Sequence, residues 1–425
     1  MKVTIVIPTR ERAETLGSTL QTCLGQDYQP LEILVSDNFS QDHTKKVVES
    51  FSDRRIRYLN TGKRMSMSGN WEFALSHVKE GFVTFVGDDD GLLPDSINNG
   101  MEIIKKFSLG ALSWKKVEYT WPSYPISGLK NLLVIPQLNY LLRFSSEKAI
   151  RDCSSFFLWY NYCPCVYNSL VDFSILEKIR NKTGIFFHSV IPDVYSGFAI
   201  SSELKSYFYS MRPFSINGAS GQSNGTSFRT YFKNKDDVNN PTVQFMKEND
   251  LPLHQKMPVL VPGSVTSSVL EPLLQANDHC FGGTLKINFP MAIRRIFMEI
   301  SPLDPIIYQE AVRQLKLVFG PTSFGSYVKK CEKRFQNHPC SDSPIIIEQC
   351  NAFEKILDVS NNSVKNVYEA SLFANAELPR YSIPRTIQNY SRFSLLLFSL
   401  GPKIAKKIPS KIQGLFSLIL KKWPI

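Results

Sequence analysis

Val83-Thr84-Phe85-Val86-Gly87-Asp88-Asp89-Asp90-Gly91-Leu92-Leu93-Pro94 carries an apolar strand straight into three adjacent carboxylates. Neighbouring acids repel one another, and a fold gains nothing in stability by packing them together. A divalent cation resolves the conflict: hard carboxylate oxygens suit Mg²⁺ or Mn²⁺, and Mg²⁺ commonly shares its shell with substrate phosphates. Taken alone, a run of three Asp is as readily a solvated acidic turn. The residues upstream decide between the two readings.

Val3-Thr4-Ile5-Val6-Ile7 is a continuous β-branched, apolar run that Pro8 is expected to stop, the pattern of a strand buried on both faces. Leu16, Leu20, Cys23 and Leu24 then recur at helical spacing. Ile33-Leu34-Val35 reads as a second strand ending at Ser36-Asp37-Asn38, and Val47, Val48 and Phe51 mark a second helix. Ile56-Arg57-Tyr58-Leu59 is a third strand, and Trp71, Leu75 and Val78 line a third helix before the acidic strand. The alternation predicts an α/β fold with a doubly wound, mostly parallel sheet and helices on both faces. Ligands bind such sheets outside the carboxyl ends of the strands. Pro8-Thr9-Arg10, Asp37-Asn38 and Asp88-Asp89-Asp90 all fall there.

These segments, together with Gly69-Asn70-Trp71 and in this order, resemble the family 2 glycosyltransferases with a GT-A fold. The resemblance covers roughly residues 1–110. It implies an inverting transferase that uses a nucleotide-activated sugar and a divalent metal, Mg or Mn. By that match Pro8, Thr9, Arg10, Glu11, Asp37, Asn70 and Asp88 face the donor, and Asp89 with Asp90 holds the metal. Two departures stand out. Gly87 occupies the place where many members carry the first Asp of the run, and Gly69 the place of an Arg before the Asn. Arg64 and Lys63, in the preceding loop, are the cations available to supply that charge.

An inverting transfer also needs a base to take the acceptor proton. The resemblance puts that carboxylate in the second half of the fold, near a helix start, where Ile191-Pro192-Asp193-Val194 fits. Asp193 is therefore the expected base, Asp172 is the reserve, and a plain helix N-cap is the competing reading of Asp193. Asp37 likewise has a competing reading as the cap of a turn. The Gly-, Ser- and Asn-rich stretch from Ser215 to Gly225 is either a flexible segment whose amides fold over a diphosphate or a surface linker. His188 is read as a packed or solvated residue.

With 425 residues and 43% hydrophobic content, the chain is long enough for more than one core. The expected division is residues 1–225 as the transferase domain (1–110 the donor half, 111–225 the acceptor half), a mainly helical accessory region over 226–377, and a tail from 378. Eight cysteines without a C-x-x-C pair are read as reduced thiols of a cytoplasmic protein. No run of about 20 apolar residues suggests a membrane span. From Leu378 to Ile425 there are nine Lys or Arg and no Asp or Glu, interleaved with bulky aliphatic residues. That composition points to an anionic membrane surface as partner, with peripheral attachment at the inner face of the cell membrane, rather than to nucleic acid. Packing of the tail on the protein itself is the other reading. The expected substrates are a nucleotide sugar, UDP-linked, and a saccharide or lipid-linked acceptor of cell-surface polysaccharide synthesis. A nucleotidyltransferase and a degenerate sugar-binding relative are the rival functions. The first usually opens with a Gly-rich phosphate loop, which Pro8-Thr9-Arg10-Glu11-Arg12 lacks.

Overall fold

The computed structural model describes residues 1–223, 241–336, 353–383 and 387–391. The chain opens with β1 (Val3–Thr9), α1 (Ala13–Leu24), β2 (Leu31–Asp37), α2 (Thr44–Glu49), β3 (Ile56–Asn60), α3 (Met67–Ser76) and β4 (Phe82–Phe85). This is the predicted order. Pro8 does not stop β1, which runs on to Thr9 in register with Asp37.

The apolar runs are continuous because both faces of the sheet are covered. Val6 and Leu34 face a core with Trp71, Ala74 and Leu75 of α3. Ile5, Ile7, Ile33 and Val35 face the other side, with Leu16 and Leu20 of α1 and Ile97 and Met101 of α4 (Ser96–Phe107). Each such aliphatic side chain, fully buried, contributes about 1.5–3 kcal/mol, so the two layers hold the strand ends in fixed register.

Twelve strands of the described residues form one sheet, in which the order β3-β2-β1-β4 is parallel throughout. Beyond β4 the sheet is mixed. β9 (Ser169–Asp172) runs antiparallel between β4 and β6 (Ala111–Thr120), and the long β10 (Ser206–Ala219) lies parallel to β6. Ser215–Ala219 is therefore strand rather than flexible linker. Helices α6 (Phe173–Thr183) and α7 (Pro192–Glu203) cover this half.

After β10 the described chain is mainly helical, with Pro241–Glu248, Val265–Phe281, Phe289–Ile300, Pro305–Phe319 and Gly325–Phe335. These helices do not keep a core of their own. Leu270, Ile293 and Phe319 belong to the same apolar cluster as Phe85, Phe187 and Phe198. The chain then returns to the sheet: β11 (Glu354–Asp358) pairs with β7 (Leu132–Pro136), and β12 (Ile387–Asn389) pairs with β8 (Leu141–Ser145). The beginning of the expected tail is thus part of the folded body. Tyr390 stacks on Phe144 with ring centroids 4.4 Å apart and donates to Asp152 at 2.7 Å. Residues 392–425, which carry most of the tail's cations, lie outside the described residues. Among the described residues, no helix is long and apolar enough to cross a membrane.

Candidate functional site

Register alone assembles the rim. Thr9 is opposite Asp37 across β1 and β2, while Val6 is opposite Phe85 across β1 and β4. Asp88 follows Phe85 by three residues, as Thr9 follows Val6, so Thr9, Asp37 and Asp88 fall at one level of the sheet. The amide of Val86 extends the ladder by donating to Val6 O at 2.9 Å, and that of Asn38 donates to Thr9 O at 2.9 Å.

The three adjacent carboxylates have different surroundings. Asp88 is partly exposed; the Arg10 amide lies 3.4 Å from its Oδ2 and Arg12 Nε 3.5 Å from its Oδ1. Asp89 is buried and accepts from Ser220 Oγ at 2.6 Å, while its backbone oxygen accepts from Trp121 Nε1 at 3.0 Å. Asp90 accepts from the Gly218 amide at 2.6 Å and from the Tyr167 hydroxyl. Burial pushes all three carboxyls up, each to about 6. At Asp88 the Arg12 guanidinium opposes the rise, and at Asp89 the neighbouring Asp90 reinforces it. These hard oxygen donors carry more negative charge than their surroundings offset, which suits a cation. Asp88 and Asp89 fit that role better than Asp90, whose carboxylate is spent on Gly218 and Tyr167. Among the described residues no group of three or more His, Cys, Asp or Glu is arranged to enclose a metal.

The same packing accounts for Gly87. A Cβ there would come within 1.9 Å of the Tyr167 hydroxyl and 2.6 Å of Asp90 Oδ2. Tyr167 fills the space that an Asp side chain would need. Gly87→Ala is accordingly expected to lower stability by about 1–3 kcal/mol, the usual cost of overpacking, in a urea or thermal melt. Tyr167→Phe in the same chain should recover part of the loss, and a Gly87→Ala variant as stable as the parent would disprove the clash. Gly218 answers a second close approach, since a Cβ there would lie 1.9 Å from Asp89 O.

The other predicted donor residues divide into two groups. Arg10 and Asp37 lie on the rim, but Asp37 already accepts from the Ser40 amide (3.0 Å), Tyr58 Oη (2.5 Å) and Asn60 Nδ2 (3.2 Å). Glu11, at φ 51°, staples the loop by accepting from the amides of Gln41 and Asp42 and from Arg64 at 2.7 Å. Asn70 is buried, with its amide engaged by Ser36, the neighbour of Asp37. Its amide oxygen accepts from Ser36 Oγ at 2.7 Å and its Nδ2 donates to Ser36 O at 3.2 Å, tying α3 to β2. Arg64 does reach the rim, donating to Asn38 O at 2.9 Å.

Ile191 holds the N-cap position of α7 and Pro192 opens the helix, so Asp193 is a first-turn residue and not the cap. Burial pushes its carboxyl up, opposed by the Val194 amide and by Lys116. The positive end of a helix favours a carboxylate there. Lys116, on β6, donates to Asn217 Oδ1 at 3.1 Å and lies 5.8 Å from the centre of the Tyr167 ring, which links Asp193 to the acidic cluster. Asp172 is excluded by topology. It pairs with Phe82, the first residue of the four-residue β4, while the acids follow the last; Phe82 and Asp88 are six residues apart, at most about 20 Å of extended chain. Asp172 caps α6 instead. His188 stacks on His279 with centroids 3.8 Å apart.

Sequence reasoning missed Arg12, Lys116, Tyr167 and Ser220 as members of this cluster. Only Arg12 had a local signal, its place two residues beyond Arg10. The segment around Ser220 stands out in the sequence for its glycines, yet its contacts come from a strand end and one serine hydroxyl. Asn224 and Gly225, which close that segment, lie outside the described residues.

Comparison with known proteins bears on the first part of the chain. Residues 4–164 match the family described as Glycosyl transferase family 2. Over 104 residues the chain is 36% identical to a GalNAc(5)-diNAcBac-PP-undecaprenol beta-1,3-glucosyltransferase of Campylobacter jejuni, covering 24% of this chain and 34% of that protein. Over 151 residues it is 22% identical to the Escherichia coli UDP-Glc:alpha-D-GlcNAc-diphosphoundecaprenol beta-1,3-glucosyltransferase WfgD, covering 36% of this chain and 56% of that one. The chain thus spans about a third to just over half of the length of these curated relatives. Among solved structures, S. aureus TarS 1-349 covers 80% of this chain and 92% of its own at a TM-score of 0.42 and 13% identity, a likeness too loose to bear on the site.

Proposed function

We propose that this chain, whose residues 4–164 match the family described as Glycosyl transferase family 2, moves a sugar from a nucleotide diphosphate donor, UDP-linked, onto a saccharide or lipid-linked acceptor with inversion, in the assembly of a cell-surface polysaccharide. The observation that carries the reading is the gathering of Asp88 and Asp89 with Arg10 and Arg12 on the carboxyl rim of the parallel strands, and of Asp193 beyond Lys116. The acceptor class is supported by the two relatives, whose names specify undecaprenol diphosphate-linked substrates.

In this mechanism Asp193 accepts the proton of the acceptor hydroxyl as its oxygen attacks the anomeric carbon. The bond from that carbon to the diphosphate oxygen breaks, and the nucleoside diphosphate leaves with the electron pair. A divalent cation, Mg or Mn, would be held by Asp89 with help from Asp88 and would supply charge neutralisation for the diphosphate. Arg12 holds Asp88 in place, and Ser220 fixes one oxygen of Asp89. Asp37 orders the Asn38–Ser40 turn beside the nucleotide end.

The test is incubation of the full chain with a panel of nucleotide sugars and Mn²⁺, with and without a polyprenyl-diphosphate saccharide. Release of nucleoside diphosphate from one donor, accelerated by acceptor, is the expected result. Formation of nucleoside triphosphate and sugar 1-phosphate from a nucleotide sugar when pyrophosphate is added would instead indicate a nucleotidyltransferase, and no turnover with any donor would leave a sugar-binding protein. The basic, aliphatic composition of residues 392–425 supports a peripheral place at an anionic membrane, where a lipid-linked acceptor resides.

A further inference from the structure

The first described helix after β10, Pro241–Glu248, comes back onto the donor rim, where its partner Arg10 lies more than two hundred residues away along the chain. Glu248 pairs with the Arg10 guanidinium, and Gln244 Oε1 accepts from the same group at 2.7 Å. Arg64 Nε lies 3.7 Å from the Glu248 carboxylate, and a second Arg64 nitrogen donates to Glu11 at 2.7 Å. One acidic side chain of this helix thus engages cations from two separate parts of the rim, the end of β1 and the loop before α3.

The surrounding charges explain why a carboxylate is wanted there. Burial is what most disfavours the charge on Arg10, and the neighbouring Arg64 and Arg12 disfavour it further; Glu248 is the main opposing influence. Arg12 is balanced by Asp88, and Arg64 by Glu11. Arg10 has Glu248. A nucleoside diphosphate brought to this rim carries its own negative charge, which these guanidiniums favour and Glu248 repels.

We propose that Glu248 is a built-in competitor of the donor: the helix Pro241–Glu248 latches over the nucleotide end of the rim through Arg10 and Arg64, and a nucleoside diphosphate takes over those cations on binding. The proposal rests on the donor-site reading above. Glu248 acts through Arg10 and Arg64 and is not a catalytic residue. Gln244 keeps Arg10 directed at the helix, and its neutral amide adds no repulsion. Closing costs the donor some affinity, and opening ties movement of the helix to donor arrival.

Calorimetric titration of the full chain with UDP and Mn²⁺ tests this, comparing the parent with Glu248→Gln at low and high salt. The variant keeps the shape and hydrogen-bonding reach of the side chain and removes its charge. It is expected to bind UDP about two- to fivefold more tightly at low salt, the worth of a partly exposed ion pair, with the difference shrinking as salt screens it. Hydrogen exchange gives the second readout. Amides of residues 241–248 should exchange faster when UDP binds the parent, and should already be fast in nucleotide-free Glu248→Gln. Equal or weaker UDP binding by the variant, or a helix more protected when UDP is bound, would overturn the latch and make Glu248 a supporting wall of the donor site. A parent chain that binds no nucleotide would overturn the donor-site reading itself, an outcome distinct from nucleotide binding with unchanged affinity.

Discussion

Asp89→Ala should abolish metal-dependent donor binding and lower turnover by about 10²-fold or more, on the scale of losing a group that neutralises charge developing in the transition state. The fold should survive, because Asp89 contributes no apolar packing and its chief structural contact, Trp121 Nε1, is to its backbone oxygen. The effect on stability should run opposite to the effect on function. Burial raises the three carboxyls to about 6, so the folded chain holds these protons more tightly than the unfolded chain, whose Asp side chains titrate near 3.9. Stability of the donor-free protein therefore falls as pH rises from about 4 to about 6, and stays lower above that range. Removing one of the three charges should relieve part of the loss at pH 7 and none of it at pH 4. Metal and UDP binding to the parent should weaken as pH drops below about 6, because protons then compete for the same oxygens. Titrations with UDP and Mn²⁺ across this range, alongside thermal melts, check both effects. An unchanged metal-dependent affinity in Asp89→Ala would remove Asp89 from the site.

Asp193→Asn should lower kcat by about 10²–10⁴-fold, as loss of a general base does, with donor affinity nearly intact. The two substitutions thus separate the halves of the site: one stops donor binding, the other permits it and stops transfer. Asparagine keeps the size of the side chain and can still accept from the Val194 amide, so a folding defect is not expected. Burial raises the Asp193 carboxyl, while Lys116 holds it down. The acidic limb of the parent's kcat profile should therefore lie above the ordinary carboxylate range and vanish in Asp193→Asn. Near-parental turnover in this variant would assign the base elsewhere, and Asp172, at the far end of β4, is too distant to inherit it.

The donor half was legible because its signals are local. Val3–Ile7, Ile33–Val35 and Val83–Phe85 are apolar apart from the buried Thr4 and Thr84, since helices cover both faces of the sheet, and a strand buried in that way needs no alternation. Once those strands are parallel, register carries Thr9, Asp37 and Asp88 to one edge, so the rim follows from the sequence with little else. The sequence could not say where each carboxylate would find its partners. Asp88, Asp89 and Asp90 are consecutive, yet one meets Arg12, one Ser220 and one Gly218 with Tyr167, from elements that arrive from up to 131 residues away. Asn70 carries a motif signal but is bonded to Ser36, and Gly87 is small because Tyr167 stands beside it. Glu248 lies in a stretch with no periodicity that points to Arg10, 238 residues away. Periodicity and register are set by neighbours along one strand or helix, so a sequence displays them. The partner of a polar side chain is set by which distant backbone packs alongside, and only the folded chain decides that.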